Sequence, residues 1–353
     1  MSNVARYGFI SAKIRGMKNR LLKTEDYNAL LNRPYKELYK YLNSTAYAQY
    51  IRNINEQSTP IELEKAVIQS MFDTIQEIIK WLPKNVNTFI AKYLTKFEEE
   101  NVKAAMRCKY LQLPAQKLEQ YLIPIPLGLS TKEYLDAYTK AKYIKDLLQR
   151  LYLKGSIINL NKLIENNKLK SNEDLISWEI ALDKSIYIEI QESADKLKGS
   201  DKKIAKENIG IEIDLCNVKN TIRGRILNIP WEEMAENLIE KTYKIPIKTL
   251  RKAFLTKDTT EALKITLAEQ YREIFKQIRE LARENKLTDI EIILNKYLYG
   301  YYKTLWRKPF PFNIGLIVAF LGLKWFEVKN LKAIIYGKSY GLSANEIQKS
   351  LTY

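Results

Sequence analysis

A 14-residue signature occurs twice in this chain, 116 residues apart, and it restricts the possible folds more than any other feature. Asn101-Val102-Lys103-x-x-x-Arg107-x-Lys109-x-Leu111-x-Leu113-Pro114 returns as Asn217-Val218-Lys219-x-x-x-Arg223-x-Arg225-x-Leu227-x-Ile229-Pro230. Six of the 14 positions are identical, where average residue usage gives roughly one. The match continues as a short amphipathic helix, with Leu118 and Leu122 aligned to Met234 and Leu238. A degenerate third copy begins at Glu327-Val328-Lys329-Asn330 and, with three extra residues, reaches Leu342-Ser343, Ile347 and Leu351. Self-similarity at a fixed period marks a repeated supersecondary unit, none of which buries its apolar face alone. Prolines cluster from Pro114 to Pro126 and from Pro230 to Pro246, each cluster between helical patterns. The chain is therefore divided into helical repeats 1–120, 121–240 and 241–353.

The module is helical. With 12 glycines and 10 prolines in 353 residues, few positions interrupt long helices. Leu63, Ala66, Val67, Met71, Ile75, Ile78, Ile79 and Leu82 follow the i, i+3, i+4 spacing of one helix face until Pro83 ends it. The same spacing predicts one helix over 132–153, capped by Ser130 or Thr131, and another over 259–281. Lys184–Ile190 alternates as a strand would, but its flanks are helical in pattern, so 172–197 is read as one helix. Ile314–Leu323, the longest apolar run, is half the length of a membrane span and reads as a buried helix. The first 22 residues lack the apolar core of a signal peptide. The expectation is a soluble all-α protein that meets membranes only peripherally.

Composition excludes most catalysis. The chain has no histidine, which removes histidine-based triads, His-ligated zinc and imidazole acid–base chemistry. Two cysteines, Cys108 and Cys216, support neither a Cys₄ metal site nor a disulfide framework and read as reduced thiols. Neither phosphate-binding glycine signature is present. No catalytic, cofactor-binding or metal-ligating residue is expected. Glu98-Glu99-Glu100 is the densest carboxylate run, and its i,i+4 partner Lys103 points to a solvated helix face.

Charge points to partners instead. The formal net charge is +17, and two stretches carry no acid at all. One is Met1–Thr24, with Arg6, Lys13, Arg15, Lys18, Arg20 and Lys23; the other is Ile292–Phe326, with Lys296, Lys303, Arg307, Lys308 and Lys324. A basic face without acids cannot neutralise itself by i,i+4 pairing, so Arg6, Lys13, Arg15, Lys18, Arg20, Lys303, Arg307 and Lys308 are candidate partner contacts. The signature pairs Lys103/Arg107 and Lys219/Arg223 have two readings: neutralisation by acids on neighbouring helices of the repeat, or docking of an acidic partner. The structural role is preferred because the pair recurs with its packing pattern. Basic residues mixed with 24 tyrosines would also suit a nucleic-acid stacking platform, yet no RNA- or DNA-binding signature accompanies them.

Three segments together suggest a family. Tyr7-Gly-Phe-Ile-Ser-Ala-Lys-Ile-Arg15 leading to Leu21-Leu22, the two Asn-Val-Lys-x-x-x-Arg copies, and Asn313-Ile-Gly-Leu-Ile-Val-Ala-Phe with Glu327-Val-Lys-Asn-Leu and Gly341-Leu-Ser resemble the C subunit of prokaryotic V-type ATPases, the counterpart of the eukaryotic d subunit. The chain departs from that pattern at Ser343, where the family often has proline. The resemblance implies three pseudo-threefold-related helical domains forming a funnel. It also implies a non-catalytic central-stalk role: a socket joining rotor-shaft subunits of the soluble head to the membrane proteolipid ring, on the cytoplasmic face. Under it no cofactor or direct nucleotide is expected, and ATP-linked transport concerns protons or sodium ions. A basic helical-repeat nucleic-acid binder is the alternative.

Overall fold

Helix is the only regular structure among the residues described by the computed structural model, namely 3–123, 125, 128–166, 175–278, 287–308 and 312–353. The chain opens with α1 (Asn3–Lys18), α2 (Thr24–Leu31), α3 (Leu38–Leu42) and α4 (Pro60–Ile79). Next come α5 (Lys84–Tyr93), α6 (Thr95–Tyr110), α7 (Ala115–Tyr121), α8 (Thr131–Lys140), α9 (Ile144–Leu153), α10 (Leu160–Asn166) and α11 (Leu175–Asp195). They are followed by α12 (Gly199–Ile226), α13 (Trp231–Asn237), α14 (Ile247–Phe254), α15 (Thr259–Leu267), α16 (Arg272–Ile278) and α17 (Leu287–Trp306). α18 (Ile314–Ser339) and α19 (Ala344–Ser350) complete it.

Local sequence explains many of these boundaries. In α4, Thr59 and Glu62 form a capping box ahead of Pro60 at the first helical position, and Leu63, Val67, Met71, Ile75 and Ile78 are buried. Every residue of α18 from Ile314 to Lys324 is buried, so this helix is apolar all round because neighbours surround it. At Gly322 an added Cβ would sit 2.4 Å from the Tyr302 ring, which is how closely α17 crosses α18. None of the described helices is long and apolar enough to cross a membrane.

Two expected helices are broken. The 132–153 pattern becomes α8 and α9, because Ala141 is extended at ψ 138° and Lys109 Nζ draws the Tyr138 and Ala141 carbonyls at 2.7 and 3.0 Å. The 259–281 pattern becomes α15 and α16, with Tyr271 at the break donating its hydroxyl to buried Asp214 at 2.8 Å. Residues 279–281 lie outside the described residues, as do 172–174 of the helix expected over 172–197; the rest of that pattern is α11.

The repeat signature acquires a physical meaning position by position. Asn101 donates to the Ile123 carbonyl (2.7 Å) and accepts from the Ile123 amide (2.8 Å). Asn217 clips Ile239 in the same way, at 2.9 Å twice, and Asn330 clips Thr352 at 2.8 Å twice. In each case the clipped residue lies 22 positions on. The third copy thus aligns on Asn330, and the three-residue insertion expected from sequence is not there. Lys103 and Lys219 then align with Lys332, and Leu342 with Leu113 and Ile229. Each signature helix ends on a left-handed residue, Gln112 (φ 52°), Asn228 (φ 54°) and Gly341 (φ 76°). The next amide closes a Schellman bond, from Leu113 to Cys108, Ile229 to Gly224 and Leu342 to Gly337, at 2.9 Å each.

Three residues before each Asn stands a buried carboxylate. Glu98 accepts from the Ile157 amide (2.9 Å), Asp214 from the Tyr243 and Lys244 amides (2.9 and 2.7 Å), and Glu327 from the Leu22 amide (2.5 Å) and the Tyr47 hydroxyl (2.6 Å). The expectation of a solvated Glu98–Glu100 face is corrected here. Glu98 is fully buried and Glu99 is largely enclosed, with only Glu100 exposed. Burial pushes the Glu98 and Asp214 carboxyls above the usual range despite their backbone donors.

Packing repeats as well. The short helices α7, α13 and α19 fold back on α6, α12 and α18, and the returning helices α11, α17 and α4 pack against the same three. For the third set the returning helix comes from the N-terminal part of the chain. There α2 packs on α19, α4 on α18, and Glu327 holds Leu22 and Tyr47.

Candidate partner-binding surfaces

Three of the four signature cations, Lys103, Arg107 and Arg223, are engaged within the protein. Lys103 pairs with Glu99 and with Asp183 on α11, and Arg107 makes a two-pronged contact with Glu179, at 2.6 and 3.2 Å. Arg223 contacts Glu291 of α17 at 2.9 Å, and in the third copy Lys332 contacts Glu64 of α4 at 2.6 Å, where the Tyr336 hydroxyl also donates to Glu64. Acids on the returning helices, two on α11 and one each on α17 and α4, therefore tie them to their signature helices. Lys219 makes no ion pair among the described residues. It faces a cleft instead.

That cleft, about 330 Å³, lies where α6, α12 and α18 meet α11 and α17. Its walls include Glu99, Lys103, Asp183, Cys216, Lys219 and Lys329. Burial pushes Glu99 well above the carboxylate range, and nearby Asp183 adds to the shift. Asp183 is itself held low, its burial outweighed by the Glu99 hydrogen bond and the Lys103 ammonium. Burial pulls Lys103 down, but the two carboxylates more than reverse this and keep it protonated. Burial and the neighbouring Lys219 lower Lys329, and burial pushes the Cys216 thiol up to about 11. Nearby, Glu212 pairs with Lys96 and accepts from the hydroxyls of Tyr93 and Tyr302, at 2.9 Å each. The cleft holds ion pairs and hydroxyl contacts joining helices, with a neutral thiol rather than a nucleophile at its wall.

Sequence reasoning did not find Glu99, Asp183, Glu212 and Lys329 as neighbours, since they come from four different helices. The buried acids Glu98, Asp214 and Glu327 did leave a signal: each sits at the same offset ahead of the signature asparagine.

The structure brings the two acid-free stretches together. Lys18 Nζ lies 6.0 Å from the Trp306 ring centre, so the end of α17, with Lys303, Arg307 and Lys308, adjoins α1. Arg15, Arg20, Lys303, Arg307 and Lys308 are exposed, and Lys18 is partly so. Two cations of the expected contact set are engaged elsewhere: Lys13 pairs with Glu77 at 2.7 Å, and Arg6 donates to Asn85 at 3.0 Å.

The family model described as ATP synthase (C/AC39) subunit matches residues 10–350. A protein named as the C subunit of an A-type ATP synthase, from Methanocaldococcus jannaschii, is 28% identical over 99% of this chain and 87% of its own length. Its namesake from Archaeoglobus fulgidus is 27% identical over 99% and 97%, and that from Pyrococcus abyssi is 25% identical over 93% and 85%.

Proposed function

The chain belongs to the ATP synthase (C/AC39) subunit family, and from that premise we propose that it is the non-catalytic central-stalk coupler of a rotary V-type ATPase. In this reading it is a socket between the rotor-shaft subunits of the soluble head and the membrane proteolipid ring, at the cytoplasmic face. It passes torque during ATP-linked proton or sodium transport. The observation that carries the reading is the family match across both signature copies, in a chain whose buried asparagine clip occurs three times.

The threefold clip also supports three related modules set as a funnel. The periods are the sequence thirds 1–120, 121–240 and 241–353. We place the packing units in a different phase, each starting at its signature helix, with the third completed by α2–α4. A torque-bearing part must be stiff, and close-packed helices cross-tied by ion pairs meet that demand. The nucleic-acid reading gains no support from these likenesses.

The test is co-purification of the tagged chain from detergent-solubilised membranes. Recovery of both soluble-head and proteolipid-ring subunits is expected. A folded chain recovered alone, or with nucleic acid in place of those subunits, would sink the coupler reading.

A further inference from the structure

The outward face of α1 carries no carboxylate. Val4, Ala5, Phe9, Ala12, Arg15 and Gly16 are exposed there, while Tyr7, Ile10, Ile14 and Met17 turn into the core. Phe9 is 59% exposed, Val4 53%, and Trp81, whose ring centre lies 4.5 Å from that of Phe9, 51%. An aromatic pair left in water at this level marks a surface that something else covers.

On the other flank of α1, Lys18 reaches Trp306. Through this contact the first stretch, with Arg15, Lys18 and Arg20, adjoins the second, with Lys303, Arg307 and Lys308. None of the six makes an ion pair among the described residues. Glu77, which Lys13 reaches from α1, is already neutralised by that pair.

A protein partner for a face of one sign would have to present the complementary, acidic potential. This face has one sign only, on long exposed side chains bordering aromatic and aliphatic groups. Anionic bilayers select that chemistry. Aromatic rings settle at headgroup depth, apolar side chains enter the headgroup boundary, and each Lys or Arg is drawn by the negative surface potential. We propose that the outer face of α1, with Trp81 and the end of α17, binds anionic phospholipid headgroups. The inference deepens the coupler reading, on which it rests, by naming a second contact of the subunit with the membrane besides the ring.

The experiment uses the full chain and vesicles of phosphatidylcholine with or without phosphatidylglycerol. Co-sedimentation is expected only with the phosphatidylglycerol vesicles, weakening as salt rises. Arg15→Glu/Lys18→Glu/Arg20→Glu should lower vesicle partitioning at least about tenfold, and Phe9→Ser/Trp81→Ser should lower it at every salt concentration. A reversal of equal charge on exposed cations of α14, Lys248→Glu/Arg251→Glu/Lys252→Glu, should leave it unchanged, with circular dichroism confirming the fold of each variant. Failure of the wild type to bind, or equal loss in the α14 variant, overturns the inference. So does an α1 variant that binds vesicles normally but no longer co-purifies with the complex, since the face would then dock protein. The coupler reading has its own test in co-purification of the wild type, and a vesicle failure leaves that result untouched.

Discussion

Asn217 is completely buried, and its single amide satisfies both backbone groups of Ile239. Truncating it leaves a buried N–H and C=O without partners, a larger penalty than the lost bonds alone. Asn217→Ala should therefore lower the unfolding free energy by about 2–4 kcal/mol, measured by urea unfolding, with Asn101→Ala and Asn330→Ala in the same range. A loss below about 0.5 kcal/mol, typical of a surface change, would show that the clip holds nothing. Glu99 poses a pH question. Its carboxyl is raised by burial, so its stabilising contribution is complete below the unfolded value of about 4.3 and fades as pH climbs through the raised folded one. Glu99→Gln mimics the protonated form and should flatten that decline in a pH series of urea midpoints. Asp183, held low, acts in the opposite sense and loses its contribution only as pH falls below about 3.9. Parallel declines in wild type and Glu99→Gln would show that Glu99 is not the group responsible.

At the scale of the element, helix ends decide most of the architecture. Gln112 and Asn228 adopt the left-handed conformation that Gly341 adopts in the third copy. A side chain there strains the backbone where glycine does not. Gln112→Gly should raise stability by about 1 kcal/mol, and Gly341→Gln should lower it by a similar amount. Open space around Gly341 makes this a backbone effect alone. Thermal unfolding of the two variants checks the pair, and shifts of the same sign would contradict it. The α8–α9 break follows the same logic. A continuous apolar stripe spans it, yet Lys109, from another helix, takes the carbonyls that would have continued the turn. Arg225 does likewise for the end of α14, bonding the Ala253, Phe254 and Thr256 carbonyls at 2.5–3.1 Å.

Over the whole molecule, the N-terminal helices complete the packing of α18 and α19. Glu327 is the clasp, accepting from Leu22, Tyr47 and Lys324, and is 3% exposed. Removing it strands a buried ammonium and two donors. Glu327→Ala should cost about 3–5 kcal/mol and speed amide hydrogen exchange across α2–α4 more than across α12–α15. Uniform acceleration would mean that the clasp serves the fold generally and does not tie these helices to α18.

The sequence by itself determined the all-helical class, the repeat period of its first two copies, and the absence of histidine chemistry. Each of these is local: spacing, punctuation and residue type are written along the chain. The register of the third copy needed the tertiary structure, because Asn330 is recognised by the backbone it clips and not by its neighbours. The same holds for Glu98. Its place in a run of three glutamates resembles a solvated face, and only the arrival of Leu129, Tyr134 and Ile157 from later in the chain buries it. The convergence of the two basic stretches was illegible for the same reason. Charge can be counted from sequence, but whether a cation is paired depends on which distant helix packs beside it. Lys13 found Glu77, and Lys18 found Trp306.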